Sequence, residues 1–410
     1  MRKNGVNRTL TAIEGGVCAP SGFRANGVHC GIAQNVKFVS RETKASSRED
    51  LSLILADGRY PTTCVFASER CGASARISKK HIQTGYARAV IANSGIANAF
   101  GEGAEGAARA ICRALAKSAK ISEDEIVIAS TGRLGVPFCE APILEKTDEL
   151  VNGAASAHNN SLAAARALMT TDMIVKQLAF SFEIGDITCK IGAICKGNAR
   201  VSPNMATTLC FVTTDVNISP KALSKAFSSA VNDTLNMLTV DGIFSPNDCA
   251  CIMASGRAGN YIIDRADSEY EKFTYALKET LFSVCRMIVT DNPERKSLVC
   301  KASGARSVRA ARTMAKAVVS ANGVKHKLSK GVMEVDDLLC ALCGTGEAFD
   351  LSKTEIAVGS RRGALVLFEE GKRLPTSLAE LENILGDREI EVDIRLNEGN
   401  YQAKAIGNDG

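Results

Sequence analysis

Residues 202–215 read SPNMATTLCFVTTD. Pro203 and Asn204 favour a turn, and Met205, Ala206, Thr207 and Thr208 lead straight into the apolar run LCFV. Two threonines at a turn-to-strand junction are either strand filler or include a nucleophile. A threonine hydroxyl attacks a carbonyl at neutral pH only with a base in hydrogen-bond reach. One such base is the residue's own α-amino group, which requires the threonine at a chain end. An internal threonine reaches that state when its hydroxyl attacks the preceding carbonyl. The peptide becomes an ester, and water releases it. Small Ala206 leaves room for that attack by Thr207, and the turn upstream can supply strain. By spacing alone, an Ala-Thr pair at a strand start is far more often structural.

Other stretches offer complementary chemistry. In STGRLGVP (130–137), Ser130, Thr131 and Gly132 follow the apolar run IVIA. A hydroxyl beside an unhindered backbone N–H can form an oxyanion hole. The same residues also read as a turn after a strand. MTTD (169–172) is a candidate helix end whose hydroxyls cap. Lys196, in AICKGN, is either a surface lysine or a cation that holds a substrate carboxylate. The 15 cysteines lie mostly in apolar runs, as Cys210, Cys251 and Cys300 do, and read as small buried hydrophobes. Cys340 and Cys343 have C-x-x-C spacing with His326 as the one nearby histidine. A zinc site wants more ligands, so core packing is the expectation for the pair, with no metal and no cofactor.

These residues need a scaffold, and the pattern is mixed. AEGAARAICRALAKSAK (104–120) is an amphipathic helix, and Ser122 with Glu125 forms a capping box. Residues 178–194 alternate around Gly185-Asp186 as a hairpin. Ser219 and Pro220 open a helix to about 238, and further helices cover about 268–288, 305–320 and 378–385. Strand-like runs fall at 86–92, 208–214, 250–254, 297–302, 354–358, 364–368 and 389–396. The charged stretch 39–50 reads as an exposed loop. The beat is not that of a doubly wound fold.

Composition excludes several classes. A net charge of +5 with 5% aromatics and no basic stripe gives no nucleic-acid footprint. No run approaches the ~18 apolar residues of a membrane span. The basic N-terminus lacks an apolar core for a signal peptide. The expectation is a cytoplasmic protein with neither nucleic-acid nor membrane partners.

Taken together, the motifs resemble the ornithine acetyltransferase family, the glutamate N-acetyltransferases of arginine biosynthesis. The likeness runs through GGVCAPSGFRANG (15–27), REDLSLILAD (48–57), NSGIANAFGEG (93–103), STGRLGVP, ALMTTD (167–172), KGNARVSPNMATTL (196–209) and MLTVDGIFSPND (237–248). The resemblance implies an α+β fold, a layered αββα sandwich. It implies self-cleavage between Ala206 and Thr207 into an α chain (1–206) and a β chain (207–410) that stay together, usually as α2β2. Thr207 is then the nucleophile, with its freed amine as base. It takes acetyl from N-acetylornithine and passes it to glutamate through an acetyl-enzyme. Some members also accept acetyl-CoA. Thr131 and Gly132 match the oxyanion pair, and Thr170 and Lys196 match substrate-binding positions.

The likeness also breaks in places. Asn198, Ala199 and Arg200 replace small or apolar residues before PNMAT. The family's DGEGATK corresponds to DNPERKS (291–297): Asp291 fits, but Pro293 stands where a substrate-binding glutamate belongs and Glu294 follows it. The family's NWGR corresponds to EVDD (334–337). The family ends in a short tail with an Asn and a terminal Thr or Ser; this sequence ends at GNDG (407–410). These departures keep two further readings open. One is a divergent N-terminal-threonine amidohydrolase or acyltransferase, and the other is a non-catalytic homologue.

Overall fold

The computed structural model describes residues 9–32, 48–66, 71–101, 103–198, 208–243 and 245–410. The chain divides into two compact units. The first comprises Met1–Gly197, Met205–Val231 and Phe244–Val284, and the second Asn198–Asn204, Asn232–Ile243 and Cys285–Gly410. A break before Thr207 would therefore leave both resulting chains with residues in the first unit.

The first unit is built on strands β1 (Thr11–Ile13), β2 (Phe23–Val28), β3 (Leu51–Phe66), β4 (Tyr86–Asn93), β5 (Ile126–Ser130), β6 (Lys176–Ile184), β7 (Ile187–Lys196), β8 (Leu209–Thr214) and β9 (Cys249–Ala254). Their order is β1-β6-β7-β8-β9-β3-β4-β5, with β2 on β3. β3 joins the two halves: Leu51–Leu55 pair with β4, and Thr62–Phe66 pair with β9. The register shifts between Leu55 and Tyr60. Pro61 sits just past that irregularity, where a missing N–H costs least.

Alternation along β3–β5 feeds two cores, because successive side chains point to opposite faces. Leu53, Ile91 and Ile128 pack with Ile111 and Leu115 of α2 (Ala104–Ala119). Helices α1 (Ala73–His81) and α3 (Ala141–Asn152) supply Ile77 and Leu150 to the same core. On the opposite face, Ile54, Val90 and Ala129 pack with Phe211 and Met253 of the other half-sheet and with Leu168 of α4 (His158–Leu168). Helix, sheet and facing sheet are thus layered, and the fold class is an α+β sandwich. Each such fully buried aliphatic side chain contributes about 1.5–3 kcal/mol.

Two more helices follow, α5 (Pro220–Asp233) and α6 (Ser268–Val289). The second unit holds β10 (Ser297–Ala305), α7 (Val308–Ser320), α8 (Asn322–Ser329), α9 (Val335–Cys343), β11 (Glu355–Ser360), β12 (Gly363–Glu369), β13 (Lys372–Arg373), α10 (Leu378–Leu385), β14 (Glu389–Arg395) and β15 (Tyr401–Asn408). Its sheet runs β13-β12-β11-β14-β10-β15. α7 buries Ala311, Met314, Ala315, Val318 and Val319, the 3–4 spacing of one helical face.

The expected hairpin and the Ser122–Glu125 capping box are both present, the latter on a single 3-10 turn. Four expectations are corrected. The helix from Pro220 stops at Asp233, because Thr234 leaves helical geometry (φ −132°, ψ −82°). The helix expected from 305 starts at Val308, where Ser307 Oγ accepts the Ala310 N–H; β10 takes Ala305. Cys340 and Cys343 are exposed and do not pack the core. Residues 33–47 lie outside the described residues, but the end of the supposed exposed loop is anchored. Asp50 is buried and accepts backbone N–H bonds from Cys30, Gly31 and Ile32 at 2.6, 2.9 and 3.2 Å. Among the described residues no helix is long and apolar enough to cross a membrane.

Candidate active site

Thr131 and Gly132 sit on the turn that ends β5, and this turn is laced to the loop after β4. Thr131 N–H donates to Asn93 O (2.9 Å), Arg133 N–H to Gly95 O (3.0 Å), and Ala97 N–H to Arg133 O (2.9 Å). Ser130 Oγ accepts the Asn98 N–H (2.8 Å) and donates to Ile96 O (3.2 Å). The stretches NSGIAN and STGR, 32 residues apart between Asn98 and Ser130, thus form one structure. Gly132 has φ +132°, and a Cβ there would lie 2.2 Å from Gly95 O, so no other residue fits. Among the described residues, the Thr131 hydroxyl and the Gly132 N–H are committed to no partner. Thr131 is buried, so a bond it makes to an anionic oxygen is made away from bulk water.

A second group forms where β6 begins and β7 ends. Asp172 is its joint. One carboxylate oxygen accepts Lys176 Nζ (2.8 Å) and the Gly197 N–H (2.8 Å), and the other accepts the Thr170 N–H (3.0 Å). The Asp172 and Lys176 side chains have no exposed surface. Burial pushes the Asp172 carboxyl up, but Lys196, Lys176 and the N–H bonds outweigh it and hold the group below its ordinary value. Lys196 is 2% exposed, so it is not a surface lysine. Thr170 is half-buried and is tied to Lys196 through Asp172.

The start of β8 lies at the same end of the sheet, since Lys196 pairs with Leu209 and Leu209 with Cys249. Thr208 N–H donates to Asp248 Oδ1 (2.9 Å), and Cys249 N–H to Thr208 O (3.2 Å). Ala206 and Thr207 lie outside the described residues. The sequence reading assigned no role to Asp172 or Asp248. Their only signal was position: Asp172 closes MTTD, and Asp248 closes SPND just before an apolar strand.

The ArgJ family's sequence model matches residues 34–409. The chain belongs to the ArgJ family. It is 30% identical over 403 residues to the arginine biosynthesis bifunctional protein ArgJ of Caldanaerobacter subterraneus, covering 98% of this chain and 96% of that one. It is 29% identical over 408 residues to the glutamate N-acetyltransferase of Methanocaldococcus jannaschii, covering 98% and 96%. A solved structure of Mycobacterium tuberculosis ornithine acetyltransferase with ornithine is 29% identical and covers 48% of this chain and 98% of its own, with a TM-score of 0.42.

The two segments of the second unit that the sequence reading set apart, DNPERKS and EVDD, both lie in described structure. Pro293 and Glu294 are exposed on a turn where Asn292 Oδ1 accepts the Glu294 N–H at 2.9 Å. Asn292 thus caps this turn through the Glu294 backbone. EVDD forms the acidic start of α9, where Lys327 pairs with Glu334 (2.6 Å) and Asp337 (2.7 Å) and Arg373 with Asp336 (2.9 Å). Acids at a helix N-terminus favour the helix dipole.

Proposed function

We propose that this chain is a self-processing acyltransferase of arginine biosynthesis that moves acetyl from N-acetylornithine to glutamate through acetyl-Thr207. Thr207 Oγ first attacks the Ala206 carbonyl carbon. The amide becomes an ester, and water hydrolyses it to an Ala206 carboxylate and a free Thr207 amine. In the transfer, that amine takes the Oγ proton as Oγ attacks the acetyl carbon. The C–N bond breaks, and the amine's proton goes to the leaving nitrogen of ornithine. The neutral amine of glutamate then attacks the acetyl ester, a proton returns to Oγ, and N-acetylglutamate leaves.

The observation that carries this reading is the Thr131–Gly132 turn. It offers a buried hydroxyl and an uncommitted N–H at a position where only glycine fits. Such a pair stabilises the oxyanion of both the cleavage and the transfer intermediates. Lys196 and Thr170 hold the substrate carboxylate, with Asp172 fixing both. Acetyl-CoA as a second donor, an α2β2 assembly and a cytoplasmic location belong to the same reading.

Intact mass of the purified full-length chain tests it, followed by a transfer assay. The expected result is two fragments meeting at Ala206 and Thr207, with acetyl passing from N-acetylornithine to glutamate. Thr207→Ala should give one uncut mass and no transfer. A wild-type chain that stays uncut on long incubation sinks the proposal.

A further inference from the structure

Three of the 15 cysteines are exposed: Cys139, Cys340 and Cys343. The last two are the C-x-x-C pair, and their exposure rules out the core-packing role that the sequence suggested. They lie at the end of α9, where Val335, Leu338 and Leu342 face inward and pack with Met314 and Val318 of α7. Asp336, Cys340 and Cys343 follow one another at steps of four and three residues and are all exposed, so they form one outward stripe. The turn that carries both thiols is held closed. The Gly344 N–H donates to Cys340 O (2.9 Å), and Thr345 donates to Leu342 O through its N–H (3.1 Å) and its hydroxyl (2.6 Å). A helix keeps the Cβ atoms of residues three apart about 5–6 Å from each other. A disulfide wants about 3.8 Å, so closing one here pulls against those hydrogen bonds. A cation held by two thiolates at about 2.3 Å each spaces its sulfurs by up to about 4.6 Å, which the helix supplies without distortion.

We propose that Cys340 and Cys343 form a surface dithiol site for a soft monovalent cation, with Cu(I) as its probe. Among the described residues no group of three or more His, Cys, Asp or Glu side chains could hold a metal ion. A tetrahedral zinc site is therefore not built here, and two-coordinate binding is what the pair offers. Thiolates select soft ions, and Cu(I) is one of them. On binding, both S–H bonds break, both protons go to solvent and two sulfur–copper bonds form; no electron is transferred. The other cysteines are buried or half-buried except Cys139, which has no second cysteine near it in sequence. The site is independent of the reading of Thr207 as the nucleophile.

The test titrates the reduced full-length chain with Cu(I) in the absence of oxygen, against the competing chelator bicinchoninate. X-ray absorption of the loaded protein then counts the sulfur neighbours of the ion. Wild type should retain about one equivalent more than Cys340→Ser, Cys343→Ser or the double variant, and its Cu(I) should show two sulfur neighbours. Cys139→Ser should retain as much as wild type. Both side chains face solvent, so the metal-free variants should keep the wild-type Tm, and lost binding is then not lost folding. Equal retention by wild type and the double variant overturns the proposal. So does a single serine variant that keeps the equivalent, because one thiol then suffices. Loss of the equivalent in Cys139→Ser, or three sulfur neighbours around the ion, places the binding elsewhere and overturns it as well.

Discussion

Asp172 and Lys176 meet at 2.8 Å in the first unit, and Lys327 meets Glu334 at 2.6 Å and Asp337 at 2.7 Å in the second. The distances are alike, and the burial is not. Neither side chain of the first pair has exposed surface, whereas Lys327 is 35% and Glu334 47% exposed. The first pair joins Asp172 of MTTD to the start of β6, and the second lies at EVDD. Water screens the exposed ions and leaves their pairing nearly neutral, while the buried ions are shut off from water and feel each other, Lys196 and the backbone at close range. The contrast separates a charge arrangement that a site depends on from one that a helix end merely tolerates.

Asp172→Asn should produce the largest effect. It leaves Lys176 and Lys196 buried without their carboxylate, a loss of about 3–5 kcal/mol of stability in urea unfolding. The pH dependence follows from the direction of the shift. A carboxyl held below its unfolded value of 3.8 contributes its stabilisation in full above that pH and loses it as pH falls through the lowered folded value. Wild-type stability should therefore drop on acidification below about pH 4, and the variant should lack that component. Equal stability of both proteins at pH 7 would mean that the pair is no better than the exposed one.

Sequence made one half of this contrast readable. Ser-Thr-Gly after an apolar run announces a hydroxyl beside an open N–H, and all three residues lie on one turn. The hairpin and the capping box were legible for the same reason. Asp172 and Asp248 were not, because each has a partner far along the chain: Asp172 bonds Gly197, 25 residues away, and Asp248 bonds Thr208, 40 away. That Lys196 is buried was not legible either, because burial is a property of the packed sheet. β3 hid for another reason. Gly58 and Pro61 are disfavoured inside strands, but they lie where β3 shifts register and changes partner.

A part of the site held without charges sharpens the comparison. Gly132→Ala meets Gly95 O and a positive φ, so the turn must shift and carry the 132 N–H off its line. Losing one oxyanion donor costs about 10²–10³ in rate, so self-cleavage and transfer should both slow by about that factor. Thr131→Ala, which keeps the backbone, should slow the reactions to a similar degree with less loss of Tm. If Gly132→Ala cleaves at the wild-type rate, the N–H is not an oxyanion donor and the glycine serves packing alone.

The smallest effect belongs to the exposed pair. Glu334→Gln removes one partner of Lys327 and leaves the other, Asp337, in place. Both partners raise the Lys327 pKa, so the pairing persists until the amine titrates, well above neutral pH. Screening and side-chain freedom offset most of what such a pair adds, so Tm should move by less than about 2 °C at pH 7. Self-cleavage and kcat should be unchanged. A fall in kcat with Tm held would place the α9 N-terminus in the catalytic centre. The burial contrast would then no longer mark which charges the site depends on.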